Sequence, residues 1–146
     1  MKVIFLDVDG VLNSSQDGFN IKLETRKHLV LLKQLVDETG AEIVLSSSWR
    51  IYDKTRVFIK KKLEEYGIAL IGFTPDTGES KGKEIKKWLD ETPYSIESFV
   101  ILDDDADMGE YSGSKLVLTD INVGLQEVDV RKAINILHGL EWSNER

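Results

Sequence analysis

Near its N-terminus the chain reads VIFLDVDGV at residues 3–11, an apolar run that ends abruptly in Asp7 and Asp9. The run is rich in β-branched residues and has no 3.6-residue period, so it predicts a buried strand rather than a helix. Later runs of the same character predict four more strands, at residues 42–45, 68–71, 99–102 and 115–118.

Segments with helical spacing separate these runs. Apolar residues recur three and four positions apart, and the first two segments are followed by Gly40 and Gly67, as is common where helices end. The first predicted helix carries an apolar stripe from Leu29 to Val36 and ends at Gly40. The others are residues 53–66, 82–89 and 128–140, and residues 73–82 predict a loop. Alternating strands and helices predict a three-layer α/β/α sandwich with a mainly parallel, Rossmann-like sheet, whose ligand site lies at the carboxyl ends of the strands.

Length and composition narrow the class of protein. The 146 residues are expected to form one domain, residues 1–146. The balance of 19 Lys and Arg against 26 Asp and Glu gives a net charge of −7, which argues against a dedicated non-specific DNA-binding protein. The chain has no cysteine, so disulfides, thiolate metal sites and a cysteine nucleophile are excluded.

The apolar runs are short. The first is interrupted before the roughly seven to fifteen apolar residues that a signal peptide needs. No run approaches the roughly 18 residues of a membrane span. A cytoplasmic protein with no membrane association is therefore expected.

Polar residues directly follow three of the predicted strands. The first strand runs into Asp7 and Asp9, the second into SSSWR at residues 46–50, and the fourth into DDDAD at residues 103–107. In a parallel sheet these ends converge, and clustered carboxylates repel one another unless a cation lies among them. Because the donors are all oxygen and the chain has only two histidines, Mg²⁺ is favoured over zinc.

The order of these motifs resembles that of the haloacid dehalogenase (HAD) superfamily of phosphohydrolases. FLDVDGV at residues 5–11 is similar to the first motif of that superfamily, and IVLS at residues 43–46 is similar to the second. Lys81, before a predicted helix, resembles the third motif, and VILDD at residues 100–104 with Asp107 resembles the fourth. The four motifs occur in family order and span most of the chain.

A narrower likeness is to the small HAD domains associated with Swiss Army Knife RNA-repair proteins. It rests on LSSSWR at residues 45–50, Lys81-Gly82 with Ile85 and Trp88-Leu89, VILDDD at residues 100–105, and Thr119 with Gly124-Leu125. This likeness implies a phosphorylated substrate such as an RNA or DNA end. No obligate protein partner is inferred.

The superfamily resemblance implies an aspartyl-phosphate mechanism. Asp7 would be the nucleophile, and Asp9 would protonate the leaving oxygen and then take a proton from the hydrolytic water. Mg²⁺ would be bound by the Asp7 carboxylate, the Asp9 backbone carbonyl and Asp103. Asp104 and Asp107 are alternatives for a further carboxylate, as a direct ligand or through a coordinated water. A solvated acidic loop is the simpler interpretation of this acidic stretch.

Two further roles have competing candidates. Ser46 would donate to a phosphoryl oxygen, although the exact end of the strand chooses between it, Ser47 and Ser48. Lys81 would neutralise the charge of the phosphate and of the nucleophile, with Lys83 as its competitor. The simpler interpretation of either lysine is a surface residue that begins a basic helix.

Ser47, Trp49 and Arg50 are candidate substrate-binding residues. Arginine suits bidentate phosphate contact and tryptophan suits base stacking, whereas a tryptophan at a helix start is more often part of the core. Residues 50–62 hold six basic residues and one acidic residue, and residues 81–87 hold four lysines and one glutamate. Such runs are usually solvated helix faces, but beside an acidic site they could guide a polyanion towards it.

The segments between the motifs leave no room for a large cap domain, and by resemblance an open site implies a bulky substrate. The predicted function is Mg²⁺-dependent hydrolysis of phosphomonoesters, at nucleic-acid ends or, alternatively, on small metabolites or nucleotides. A receiver-like signalling module is the alternative of another class. The motif order disfavours it, because a receiver carries its phosphorylated aspartate after the third strand.

Overall fold

The computed structural model describes residues 1–140. Its five-stranded sheet has the order β3-β2-β1-β4-β5, and every neighbouring pair is parallel. The strands are β1 (Lys2–Leu6), β2 (Glu42–Leu45), β3 (Leu70–Phe73), β4 (Ser98–Asp103) and β5 (Leu116–Leu118). Because β1 is central, its carboxyl end lies between those of β2 and β4.

Four α-helices of the described chain cover the two faces of the sheet. They are α1 (Arg26–Thr39), α2 (Asp53–Glu65), α3 (Lys81–Glu91) and α4 (Glu127–Leu137). Side chains of β1 alternate between the faces: Ile4 and Leu6 pack into the core shared with α1, α2 and α4, whereas Phe5 packs with Ile85 of α3. The predicted three-layer α/β/α sandwich is confirmed. Within residues 1–140, no helix combines the length and the apolar character needed to cross a membrane.

The third strand begins later than the sequence predicts. The prediction is residues 68–71, but β3 starts at Leu70. The Ile68 amide donates to the Leu63 carbonyl at the end of α2, after Gly67 adopts a left-handed φ of 71°. Ile68 is buried, but it belongs to the turn that ends the helix, so its apolar character misplaces the strand boundary.

Two other predicted boundaries are wrong. The last helix is predicted to reach residue 140, but α4 ends at Leu137. Gly139, with a left-handed φ of 75°, closes the final turn by donating its amide to the Ile136 carbonyl. The predicted loop is shorter than expected, at residues 74–80, because its first residue pairs in β3 and its last two belong to α3.

The strand ends are aligned at one edge because backbone pairing continues just past the strands. The Asp7 amide donates to the Leu102 carbonyl at 3.0 Å, and the Ser46 amide donates to the Leu6 carbonyl at 2.9 Å. Asp103 is itself the last residue of β4. The sheet therefore holds the backbone of all three residues at the same edge.

Candidate active site

Three carboxylates, which we call the carboxylate cluster, meet at this edge. Asp7 follows β1, Asp103 ends β4 and Asp104 comes next in the chain, and one oxygen from each lies within 4.8 Å of the others. Asp103 is fully buried and Asp7 is only 6% exposed. The structure thus brings together carboxylates that are distant in the chain.

Lys81, the first residue of α3, lies against the carboxylate cluster. Its Nζ is 2.9 Å from Asp103 Oδ2 and 3.4 Å from Asp7 Oδ2. The helix approaches this closely because Gly82 packs on the backbone of Met108, where a Cβ would lie 2.5 Å from the carbonyl oxygen. The competing lysine, two residues on, is exposed. Of the two candidates, the structure brings Lys81 to the cluster.

Burial makes negative charge on the carboxylate cluster unfavourable. Desolvation raises the pKa of Asp7 to about 8, and the charge of Asp103 adds to this effect while Lys81 opposes it. Burial also raises the pKa of Asp103, again against the influence of Lys81. One lysine beside three carboxylates forms a site that a divalent cation would stabilise.

The donor set of the cluster fits Mg²⁺. Each ligand on offer is a carboxylate oxygen, the type that Mg²⁺ prefers, and no histidine of the described residues belongs to the group. Asp7, Asp103 and Asp104 would hold the ion through one oxygen each. Asp107, the alternative to Asp104, is exposed, and its Oδ1 accepts the Gly109 amide, so its observed contact shapes the loop.

Gly10 allows Asp104 to reach the cluster. Its φ of 82° is left-handed, and a Cβ would lie 2.6 Å from Asp104 Cγ, so a larger residue would displace the carboxylate. Thr119 holds this turn from the end of β5, since its Oγ1 donates to the Gly10 carbonyl at 2.8 Å. Sequence reasoning assigned Thr119 no role, although its position directly after the fifth strand is a signal that could have identified it.

Asp9 is exposed, but both of its carboxylate oxygens have partners. Oδ1 accepts from Asn13 Nδ2 at 2.9 Å, and Oδ2 accepts from Trp49 Nε1 at 3.1 Å. Sequence reasoning missed Asn13, because an asparagine three residues after a glycine turn carries no specific signal. The site therefore has two parts, the carboxylate cluster and a separately held Asp9.

The three serines after β2 have different environments. Ser46 Oγ is buried and has no hydrogen-bond partner within the described part of the chain. Ser47 Oγ accepts the Trp49 amide at 3.1 Å, which caps the 3₁₀ turn Ser48–Arg50 rather than contacting a substrate. Ser48 is exposed. A buried hydroxyl without a partner is available to a phosphoryl oxygen, which favours Ser46 for that role.

Alanine substitutions at two of these serines should separate catalysis from stability. We expect Ser46→Ala to lower kcat for an aryl phosphate by roughly 10- to 100-fold, the effect of losing one hydrogen bond to a charged group, with little change in stability. Ser47→Ala should destabilise the fold by about 1 kcal/mol through loss of the cap and leave kcat within about threefold. Steady-state kinetics and urea unfolding measure both effects. An unchanged kcat in Ser46→Ala would contradict the assignment.

Arg50 is buried among protein acceptors instead of facing a substrate. Its guanidinium donates to the carbonyls of Ser47, Thr74 and Pro75 and to Glu84 Oε1, at 2.9, 2.9, 3.4 and 3.0 Å. These bonds use most of its five N–H groups. In this structure the side chain joins the 3₁₀ turn, the loop after β3 and α3, and a substrate contact of Arg50 stays a prediction.

Comparisons with known proteins identify the family. The family model described as the HAD domain in Swiss Army Knife RNA repair proteins matches residues 3–130, a span that contains every site residue described above. Searches of curated proteins and of solved structures found no match. A HAD domain implies hydrolase or phosphatase activity in general. The match covers most of the chain and agrees with the parallel sheet and the acidic residues at its carboxyl edge, and the chain therefore belongs to the HAD domains of Swiss Army Knife RNA repair proteins.

Proposed function

We propose that the protein is a Mg²⁺-dependent phosphomonoesterase that forms an aspartyl-phosphate on Asp7 and acts on phosphorylated nucleic-acid ends. One observation carries the proposal. The buried carboxylate of Asp7 follows the central strand and lies beside Lys81, and the hydroxyl of Ser46, which has no hydrogen-bond partner among the described residues, follows the neighbouring strand. Phosphoryl transfer needs this combination, because its catalysis consists mostly of positioning and charge stabilisation.

The side chains divide the reaction into two displacements. Asp7 attacks phosphorus through a carboxylate oxygen while the bond to the leaving oxygen breaks, and Asp9 gives its proton to that oxygen. Asp9 then takes a proton from water, which attacks phosphorus, releases phosphate and restores the Asp7 carboxylate. Lys81 and Ser46 donate to the phosphoryl oxygens in both steps. Mg²⁺ bound at the carboxylate cluster would supply further positive charge beside the phosphate.

Three features support a nucleic-acid end as the substrate. The family description refers to RNA repair proteins. Within the described residues, the segments between β1 and β2 and between β2 and β3 contain only loops, α1, the 3₁₀ turn and α2, so no further domain covers the site. α2, whose Phe58 packs on Trp49, carries the exposed Lys54, Lys60 and Lys61. Such cations favour the approach of a polyanion.

A groove of about 570 Å³ lies beside β3 and α3. Arg50 and Thr74 line the groove, together with Phe73, whose ring is 45% exposed. The Arg56 guanidinium lies 5.0 Å from the centroid of that ring. An exposed aromatic residue beside an arginine suits base stacking, so the groove offers a place for a nucleobase of the substrate.

A panel of phosphorylated compounds tests this proposal. We expect Mg²⁺-dependent phosphate release from 4-nitrophenyl phosphate. We also expect kcat/KM to be at least about tenfold higher for 3′- or 5′-phosphorylated oligonucleotides than for nucleotides, sugar phosphates or phosphopeptides, and to fall as salt rises, because phosphate contacts release counterions. Equal, slow turnover of every compound would contradict the preference for nucleic-acid ends and leave a general phosphatase.

The rival function of another class is a receiver-like phosphoacceptor. β3 ends at Phe73 and Thr74 follows, so the position where a receiver carries its phosphorylated aspartate has no carboxylate. The protein should therefore turn over repeatedly when mixed with a small phosphodonor. Stable phosphorylation of the chain without turnover would support the rival instead.

A further inference from the structure

We propose that Trp49 and Asn13 are positioning residues that hold the Asp9 carboxylate in one orientation for proton transfer. The inference rests on the proposed function, in which Asp9 exchanges a proton first with the leaving oxygen and then with water. It gives the tryptophan of the SSSWR segment a role that the motif pattern alone does not assign.

Two donors from different parts of the chain bind different oxygens of Asp9. The Trp49 indole Nε1 is 3.1 Å from Oδ2, and the Asn13 Nδ2 is 2.9 Å from Oδ1. An exposed carboxylate with one partner can rotate and exchange that partner for water at small cost. Bonds to both oxygens restrict the rotation, so the plane of the carboxylate is held as well as its position.

The indole of Trp49 is itself held in place. Ser47 Oγ accepts its amide, Thr55 Oγ1 donates to its carbonyl, and its ring packs against Phe58 with centroids 6.2 Å apart. The residue is only 8% exposed, so its ring offers little face to a nucleobase. In this structure the N–H group of Trp49 is directed to Asp9, and base stacking on its ring stays a prediction.

The amide of Asn13 has one sensible orientation. The residue is fully buried, and its Oδ1 accepts the Gly10 amide at 3.0 Å. Because a backbone N–H can only donate, this bond assigns oxygen to that side and places the NH₂ group against Asp9. The Gly10 turn, which admits Asp104 to the carboxylate cluster, therefore also helps to position Asp9.

Neither partner can compete for the proton that Asp9 transfers. An indole N–H and an amide NH₂ are donors only, and each occupies one lone-pair position of one carboxylate oxygen. The other positions stay open for the transferred proton. Loss of one donor would let the carboxylate rotate, so that it is aligned with the leaving oxygen for less of the time. The effect should be largest for leaving groups that most need protonation.

The Trp49→Phe variant tests this role, because phenylalanine keeps one aromatic ring and lacks the pyrrole ring that carries the N–H donor. kcat/KM is measured over a series of aryl phosphates, from 4-nitrophenyl phosphate to phenyl phosphate, whose leaving group is a much stronger base. We expect Trp49→Phe to lower kcat/KM about tenfold for phenyl phosphate and less than about threefold for 4-nitrophenyl phosphate. Trp88→Phe, on α3 and packed on the other face of the sheet, is the matched control and should show no dependence on the leaving group.

The hydrogen bond can also be observed without turnover or metal. The chain has three tryptophans, Trp49, Trp88 and Trp142, so ¹⁵N-labelled protein gives three indole N–H signals in a two-dimensional NMR spectrum. The signal missing from Trp49→Phe belongs to Trp49. We expect Asp9→Ala to shift that signal strongly and to leave the Trp88 signal in place.

The outcomes distinguish this inference from the proposed function. An equal loss of kcat/KM across the aryl series, or an unshifted Trp49 signal in Asp9→Ala, would overturn the positioning role while the wild type still hydrolyses phosphate esters. A wild-type protein that hydrolyses none of the aryl phosphates would overturn the proposed function, and the positioning role would fall with it.

Discussion

The Asp7→Asn variant is expected to lose at least about a thousandfold in kcat/KM for 4-nitrophenyl phosphate, because an amide neither attacks phosphorus nor contributes a negative ligand. The measurement is phosphate release in excess Mg²⁺. Asp37→Asn, the same chemical change at an exposed position on α1, is the control and should retain wild-type activity. Substantial activity in Asp7→Asn would exclude Asp7 as the nucleophile.

The thermal stability of Asp7→Asn at different pH values shows whether its loss of activity comes from unfolding. Burial raises the pKa of folded Asp7 from 3.8 to about 8, so between these values the folded state holds a proton that the unfolded state has released. The stability contributed by this group is therefore present below pH 3.8 and is lost as the pH rises towards 8. The asparagine side chain in Asp7→Asn does not titrate, so the variant does not lose this stability as the pH rises. We expect metal-free Asp7→Asn to melt at or above the wild-type temperature at pH 8, and a clearly lower melting temperature would contradict this account.

Removal of divalent cations is the second change with a large expected effect. Treatment with EDTA followed by desalting should lower kcat by at least about a hundredfold, and added Mg²⁺ should restore it. The physical reason is the carboxylate cluster, in which three carboxyl groups lie together and Lys81 contacts two of them. Asp104→Asn should raise the Mg²⁺ concentration needed for half-maximal activity, whereas Asp107→Asn should leave it nearly unchanged. Full activity in metal-free buffer would refute the proposed metal site.

Mg²⁺ binding should also be measurable by thermal unfolding. At a concentration 100 times its Kd, a ligand stabilises the folded state by about 2.7 kcal/mol, which raises Tm by about 5–10 °C in a chain of this size. The ligand carboxylates must lose their protons to bind the ion. Because the pKa of Asp7 is about 8, the rise in Tm should be larger at pH 8 than at pH 6. An equal rise in Tm at pH 6 and pH 8 would argue against Asp7 as a ligand.

The apolar runs and the polar residues after them made much of the fold predictable. The run that ends at Asp7 predicts β1 to within one residue, because β-branched residues without helical spacing are typical of buried strands. Parallel order follows from the right-handed connections between strands, so Ser46 and Asp103 could be expected near Asp7. The third strand was displaced because Ile68, although buried, completes the turn that ends α2.

Choices between neighbouring residues could not be made from the pattern. Ser46 and Ser47 differ by one position, which in extended chain reverses the side on which the side chain lies. Lys81 and Lys83 differ by two positions, which turns a side chain by about 200° around a helix. Packing decides where β2 ends and where α3 begins, and these two boundaries decide the choice. The structure brings Lys81 to the cluster and leaves Ser46 Oγ without a partner among the described residues.

Local patterns in the amino-acid sequence were sufficient for the parallel α/β sandwich and for the aspartates at its carboxyl edge, because both follow from short-range spacing and strand order. Trp49 and Arg50 are different. Their partners Asp9 and Glu84 lie 40 and 34 positions away, so these contacts arise only when the connections between strands have folded. Tertiary packing therefore directs both side chains to protein partners, where their chemistry alone had suggested a substrate.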